Sequence, residues 1–129
     1  PDGKELFIYK AGRLYKTGTA DAEHKLELLD EKINFAKLQN HAALTPDGKT
    51  MYFTSESDKG RGGSDIYYAT KNDDGTWSDP VALDHPVNTP YDEEAPFVNE
   101  SGVLFFSSNG HPGYGGFDVY KTQMVNGAW

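Results

Sequence analysis

Hydrophobic positions fall in short runs separated by turn-forming clusters. HAALT (41–45) reads as a short apolar strand, and PDGK (46–49) as a turn. Proline presets φ at one corner there, and Asp and Gly suit the next positions. TMYFTS (50–55) is rich in β-formers, a glycine-rich loop follows, and DIYYAT (65–70) is a third strand. KNDDGT (71–76) is a polar turn with an Asp-Gly hairpin signal. WSDPVALD (77–84) reads as a fourth strand at a sheet edge, because Pro80 lacks the N–H that a central ladder needs. Alternation places Phe53 and Phe106 on one face of their strands and Tyr52 and Phe105 on the other. Both faces are apolar, as expected of a sheet packed between two neighbours.

The same order recurs. TSESDKGRGGSDIY (54–67) and SSNGHPGYGGFDVY (107–120) align Ser55 with Ser108 and Gly60 with Gly113. Gly62 and Gly63 align with Gly115 and Gly116, Asp65 with Asp118, and Tyr67 with Tyr120, all at an offset of 53. EAPFVN (94–99), ESG (100–102), VLFFSS (103–108) and DVYKTQ (118–123) repeat the strand, turn and strands, and NGAW (126–129) matches DGTW (74–77). Near the N-terminus, ELFIYK (5–10) and RLYKTG (13–18) are joined by a minimal turn at Ala11-Gly12. Leu29, Ile33 and Asn34 then match Leu83, Val87 and Asn88 at offset 54. A short helix competes over residues 20–40, but this register favours a strand over 26–29.

Internal repeats of roughly this length belong to solenoids, propellers or arrays. Four strands per unit predict an all-β fold, a partial β-propeller of four-stranded antiparallel blades. Residues 41–94 form one complete blade, residues 1–40 a partial blade with strands two to four, and residues 95–129 a partial blade with strands one to three and the start of a fourth. Propellers have about four to eight blades, so this reading expects a larger protein around the segment.

A net charge of −8, with Lys and Arg scattered singly, argues against a nucleic-acid partner. No cysteine is present, which removes disulfides and thiolate metal sites. No apolar run approaches the ~18 residues of a membrane helix.

The residues ALTPDGKTMYFTS, GGSDIY, GTWSDPVAL and VNT resemble the WD-repeat-like propeller family marked by a Pro-Asp-Gly turn. SSNGHPGYGGFDVY is similar to the form found in OmpA-like proteins of the Bacteroidetes. The resemblance covers nearly the whole chain. It implies a lipoprotein-associated, periplasmic setting at the outer membrane, with links to type IX secretion. Other envelope proteins would be its partners, and peptidoglycan would be bound only through a domain outside this segment. The family also includes TolB-type propellers, and related blades occur beside peptidase domains. A propeller that positions substrate for a peptidase, or one that binds glycans, therefore stands as the alternative to an interaction scaffold.

Candidate chemistry is sparse. Gly62, Gly63, Gly115 and Gly116 fit a turn that needs φ > 0, capped by Asp65 and Asp118, better than an anion-binding nest. Asp92, Glu93 and Glu94 are hard oxygen donors suited to Ca²⁺ and could share a face with Glu56 and Asp58, but they lack the spacing of a calcium loop. His24, His41, His85 and His111 show no chelating spacing; His41 reads as a structural histidine and His111 as an exposed one. No catalytic residue and no cofactor is expected. Asn99-Glu100-Ser101 matches a glycosylation sequon at a turn. Shared glycines serve the turn, so the differing loop residues are free for recognition. Tyr114, Phe117, His111 and Arg61 are the interaction candidates, with Trp77 at the start of an outer strand.

Overall fold

The computed structural model describes residues 4–20, 23 and 25–129. They form three small antiparallel sheets and no helix. Sheet 1 holds β1 (Glu5–Lys10), β2 (Arg13–Gly18) and β3 (Glu27–Leu28) in that order. Sheet 2 holds β4 (Leu38–Leu44), β5 (Thr50–Glu56), β6 (Ser64–Thr70) and β7 (Val81–Ala82). Sheet 3 holds β8 (Glu93–Val98), β9 (Val103–Ser108) and β10 (Asp118–Gln123), with β9 central. None of the three is closed into a barrel.

Local chemistry sets the turns. Ala11 and Gly12 both have positive φ, 50° and 78°, which gives the tight two-residue connection from β1 to β2. In the PDGK turn Gly48 donates to the Thr45 carbonyl, and Asp47 accepts from Lys49 N and from the Thr45 hydroxyl. In sheet 3, Asn99 does that work: its Oδ1 accepts from Ser101 N and Val103 N. The sequon asparagine is therefore a turn residue.

Alternation along β5 divides the core. Met51 and Phe53 enter one apolar cluster with Leu14, Leu29, Ile33 and Tyr67, between sheets 1 and 2. Tyr52 enters a second with Ile66, Leu83, Leu104 and Phe106, between sheets 2 and 3. Sheet 2 is thus buried on both faces, as its two-sided apolar pattern predicts. Equivalent residues take equivalent places: Phe53 packs toward sheet 1, and its counterpart Phe106 packs toward sheet 2.

Four expectations change. The first strand of each unit begins earlier than its apolar residues indicate and carries a bulge, between Asn40 and Ala43 in β4 and between Glu94 and Phe97 in β8. His41, read as a structural histidine ahead of a core strand, sits on the first bulge inside β4 at φ 45°, exposed and hydrogen-bonded to Asn40. The fourth strand shrinks to Val81–Ala82, because Pro80 interrupts the ladder after an isolated Lys71–Trp77 bridge. Trp77, expected exposed at the start of an outer strand, is buried instead. It is 6% exposed, inserted between sheets 1 and 2 with the Lys71 ammonium over its ring. Over the stretch read as strand or helix, residues 31–34 form a turn and Glu27–Leu28 is the strand; His24 lies outside the described residues.

Candidate functional site

The two glycine loops are built around buried or half-buried aspartates. Asp65 Oδ2 accepts from Arg61 N at 2.8 Å and Gly62 N at 3.2 Å. Asp118 Oδ2 accepts from Tyr114 N at 2.9 Å. A Cβ at Gly60 would lie 1.9 Å from Asp65 Oδ2, and one at Gly113 would lie 2.0 Å from Asp118 Oδ2. These glycines leave room for the capping carboxylates. Burial pushes the Asp65 carboxyl above its usual range, although the two amide donors pull it down.

The paired glycines have two different reasons. Gly115 and Gly116 have φ of 109° and 65° and open space around them, the expected left-handed turn. Gly62 and Gly63 do not have positive φ. They are small because the connector at 90–92 passes against them: a Cβ would lie 2.2 Å from the Tyr91 carbonyl oxygen or 2.2 Å from Asp92 Oδ1. Gly62 N is held by Asp65 and Gly63 N by the Tyr91 carbonyl, so this loop presents no anion nest.

The acidic run 92–94 stitches sheets 2 and 3 together. Asp92 accepts from Ser64 N and from Asn109 Nδ2, and its own N–H donates to Asn109 Oδ1. Glu93 is fully buried: Oε2 accepts from Thr89 N at 2.8 Å, and Oε1 accepts from the Thr89 and Ser108 hydroxyls at 2.6 and 2.7 Å. Glu94 is half-buried in β8 opposite Ser107. Asp92 does not join the exposed Glu56 and Asp58 in a donor set; among the described residues no group of three or more His, Asp or Glu side chains is placed to hold a metal ion.

The interaction candidates separate by exposure. Arg61 is pinned to Asp84 at 2.7 Å. His111 is half-buried rather than exposed: Nε2 donates to the Val87 carbonyl at 3.1 Å, and the ring packs against Phe106 and Tyr120. Accepting carbonyls take only a donor, so the proton sits on Nε2. Tyr114 is wholly exposed, and Phe117 is half exposed. Tyr91, at 60% exposure, lies beside Gly110 and adds an aromatic that the sequence reading missed; its only signal was a large ring in an otherwise polar connector. An open cleft of about 580 Å³ is lined by Arg61, His85, Pro90, His111 and Pro112. The loop end thus offers aromatic rings, prolines and a partly neutralised guanidinium on a backbone fixed by the aspartate caps. No family model, curated protein or solved structure matches this chain.

Proposed function

We propose that the three sheets are consecutive blades of a β-propeller, and that the chain is a non-enzymatic scaffold that captures another protein on its glycine-loop face. The observation that carries the reading is Tyr114: a wholly exposed aromatic on a loop whose backbone is tied to Asp118. A rigid aromatic is an efficient interface anchor, because little ordering entropy is lost when it is covered. The stacking of the three sheets through equivalent residues supports the propeller reading. The resemblance of the repeat to OmpA-like envelope proteins supports a periplasmic, outer-membrane-associated setting with envelope proteins as partners. Among the described residues no helix is long and apolar enough to cross a membrane.

The test is capture from envelope extracts by the wild-type protein and by Tyr114→Ala. The expected result is loss of specific partners by the variant at an unchanged melting temperature. Equal recovery of the same partners removes the loop from the interface.

A further inference from the structure

Asn-Gly occurs twice in the chain, at 109–110 and 126–127. The pair carries latent chemistry. The glycine nitrogen can attack the side-chain carbonyl carbon of the asparagine, because glycine has no Cβ to bar the approach. Two features of a fold oppose that attack. Hydrogen bonds can hold the side-chain amide, and an acceptor can hold the glycine N–H. The two pairs differ in both.

Asn109 is locked. Its Oδ1 accepts from Asp92 N at 2.9 Å, its Nδ2 donates to Asp92 Oδ2 at 3.2 Å, and its own N–H donates to the Asp92 carbonyl at 3.3 Å. Gly110 N donates to Ser108 Oγ at 2.9 Å. A Cβ on Gly110 would lie 1.9 Å from Thr89 Oγ1, so the chain there is packed as well as bonded. Asn126 and Gly127 are both exposed, in a two-residue turn with φ of 53° and 82°. Among the described residues no hydrogen bond reaches the Asn126 side chain or Gly127 N, and the turn is closed by the isolated Val125–Ala128 bridge, with bonds of 2.8 and 3.1 Å. The matching Asp74-Gly75 turn is exposed too, although β7 and all of sheet 3 follow it, so exposure belongs to the place of this turn in the unit. There Asp74 Oδ1 accepts from Thr76 N and the Thr76 hydroxyl, and Gly75 N donates to the Asn72 carbonyl at 2.9 Å. Those restraints have no equivalent at Asn126 among the described residues.

We propose that Asn126 is a site of spontaneous deamidation. Opening the exposed Val125–Ala128 bridge frees the turn to reach the geometry of attack. The Gly127 nitrogen gives up its proton and bonds to Asn126 Cγ. The Cγ–Nδ2 bond breaks, and ammonia leaves with that proton, which closes a cyclic succinimide. Water then adds to either ring carbonyl and opens the ring, to aspartate or to isoaspartate. Water is the sole co-reactant. Either product adds a negative charge to the turn, and isoaspartate also lengthens its backbone by a methylene. The turn stands just before Trp129, whose ring packs edge-on against Tyr52 at 6.1 Å, so the modification falls on the segment that places this ring.

Peptide mapping by mass spectrometry, on purified protein held at mildly alkaline pH and sampled over time, tests this directly. The peptide containing Asn126 is expected to show the amide-to-acid mass change at least about tenfold faster than the peptide containing Asn109, because each hydrogen bond that must break first slows the step several-fold. The same incubation in concentrated urea is expected to bring the two rates together, since the fold alone separates them. Both sites are read in one unmutated chain, so no variant has to fold. Absence of conversion at Asn126 in the folded protein, equal conversion at the two sites there, or a rate ratio unchanged by urea overturns the proposal.

Discussion

At the scale of single residues, the glycine loops contain substitutions that look alike and should behave differently. Gly60→Ala puts a methyl group into the Asp65 carboxylate, and either the cap or the loop must move. Loss of charge-assisted bonds to Arg61 N and Gly62 N costs about 2–3 kcal/mol. Gly115→Ala meets open space and suffers only its left-handed φ, about 1 kcal/mol. Chemical denaturation of the two variants gives the comparison, and equal losses would refute the role of the carboxylate at Gly60. Asp65 also makes a pH prediction. Its folded pKa lies above the ordinary 3.8 because burial penalises the charged form. Between 3.8 and the raised value the folded state binds more protons than the unfolded one, so this group's contribution to stability falls as pH rises through that window. Asp65→Asn removes that contribution. The stability difference between wild type and Asp65→Asn should therefore change with pH just above the usual aspartate range. A flat difference across acidic pH would show that Asp65 is not perturbed.

At the scale of elements, the fixed spacing made the strands legible, and packing made some residues illegible. The 53-residue offset located β5, β6, β9 and β10, and the 54-residue match of Leu29, Ile33 and Asn34 favoured a strand where composition allowed a helix. Yet the match did not reveal why asparagine recurs, because its bonds go to a strand about twenty residues away. Trp77 follows the polar turn 71–76 and precedes Pro80, which reads as an outer, exposed position; only the stacking of sheet 1 on sheet 2 buries it. Glu93 sits in an acidic run that reads as a solvated rim. Its pairing opposite Ser108, in phase with Leu104 and Phe106, turns it inward. Of the loop face, Tyr114 is wholly exposed and Phe117 half exposed, whereas His111, read as exposed, is tied to Val87 by a contact between units that no local pattern encodes. Glu93→Ala should cost about 2–4 kcal/mol, because it strands the buried Thr89 amide and two hydroxyls. Phe53→Ala should cost about 3–5 kcal/mol through the cavity it leaves between sheets 1 and 2. Urea midpoints measure both. A loss below about 1 kcal/mol at Glu93 would mean that water replaces its bonds and that sheets 2 and 3 are not stitched there.

At the scale of the whole molecule, the stacking rule that joins the sheets also dictates how the outer faces behave. Sheet 2 presents Tyr52 and Ile66 to sheet 3, and sheet 3 presents the corresponding Phe105 and Val119 outward, with Phe97 beside them. Contiguous exposed apolar surface drives association. The net charge of −8 opposes it by long-range repulsion, which salt screens within roughly 8 Å at physiological ionic strength. Association of the chain in solution should therefore rise with protein concentration and with salt. Phe97→Lys combined with Val119→Lys should leave the protein monomeric under both conditions, because both side chains are already exposed and neither belongs to the two buried clusters. Sedimentation velocity across a salt series distinguishes the cases. Association that persists in the double variant would place the sticky surface elsewhere, on the exposed Leu6 and Leu28 of sheet 1. Association that weakens as salt rises would mean that charge pairing, rather than the apolar face of sheet 3, brings the chains together.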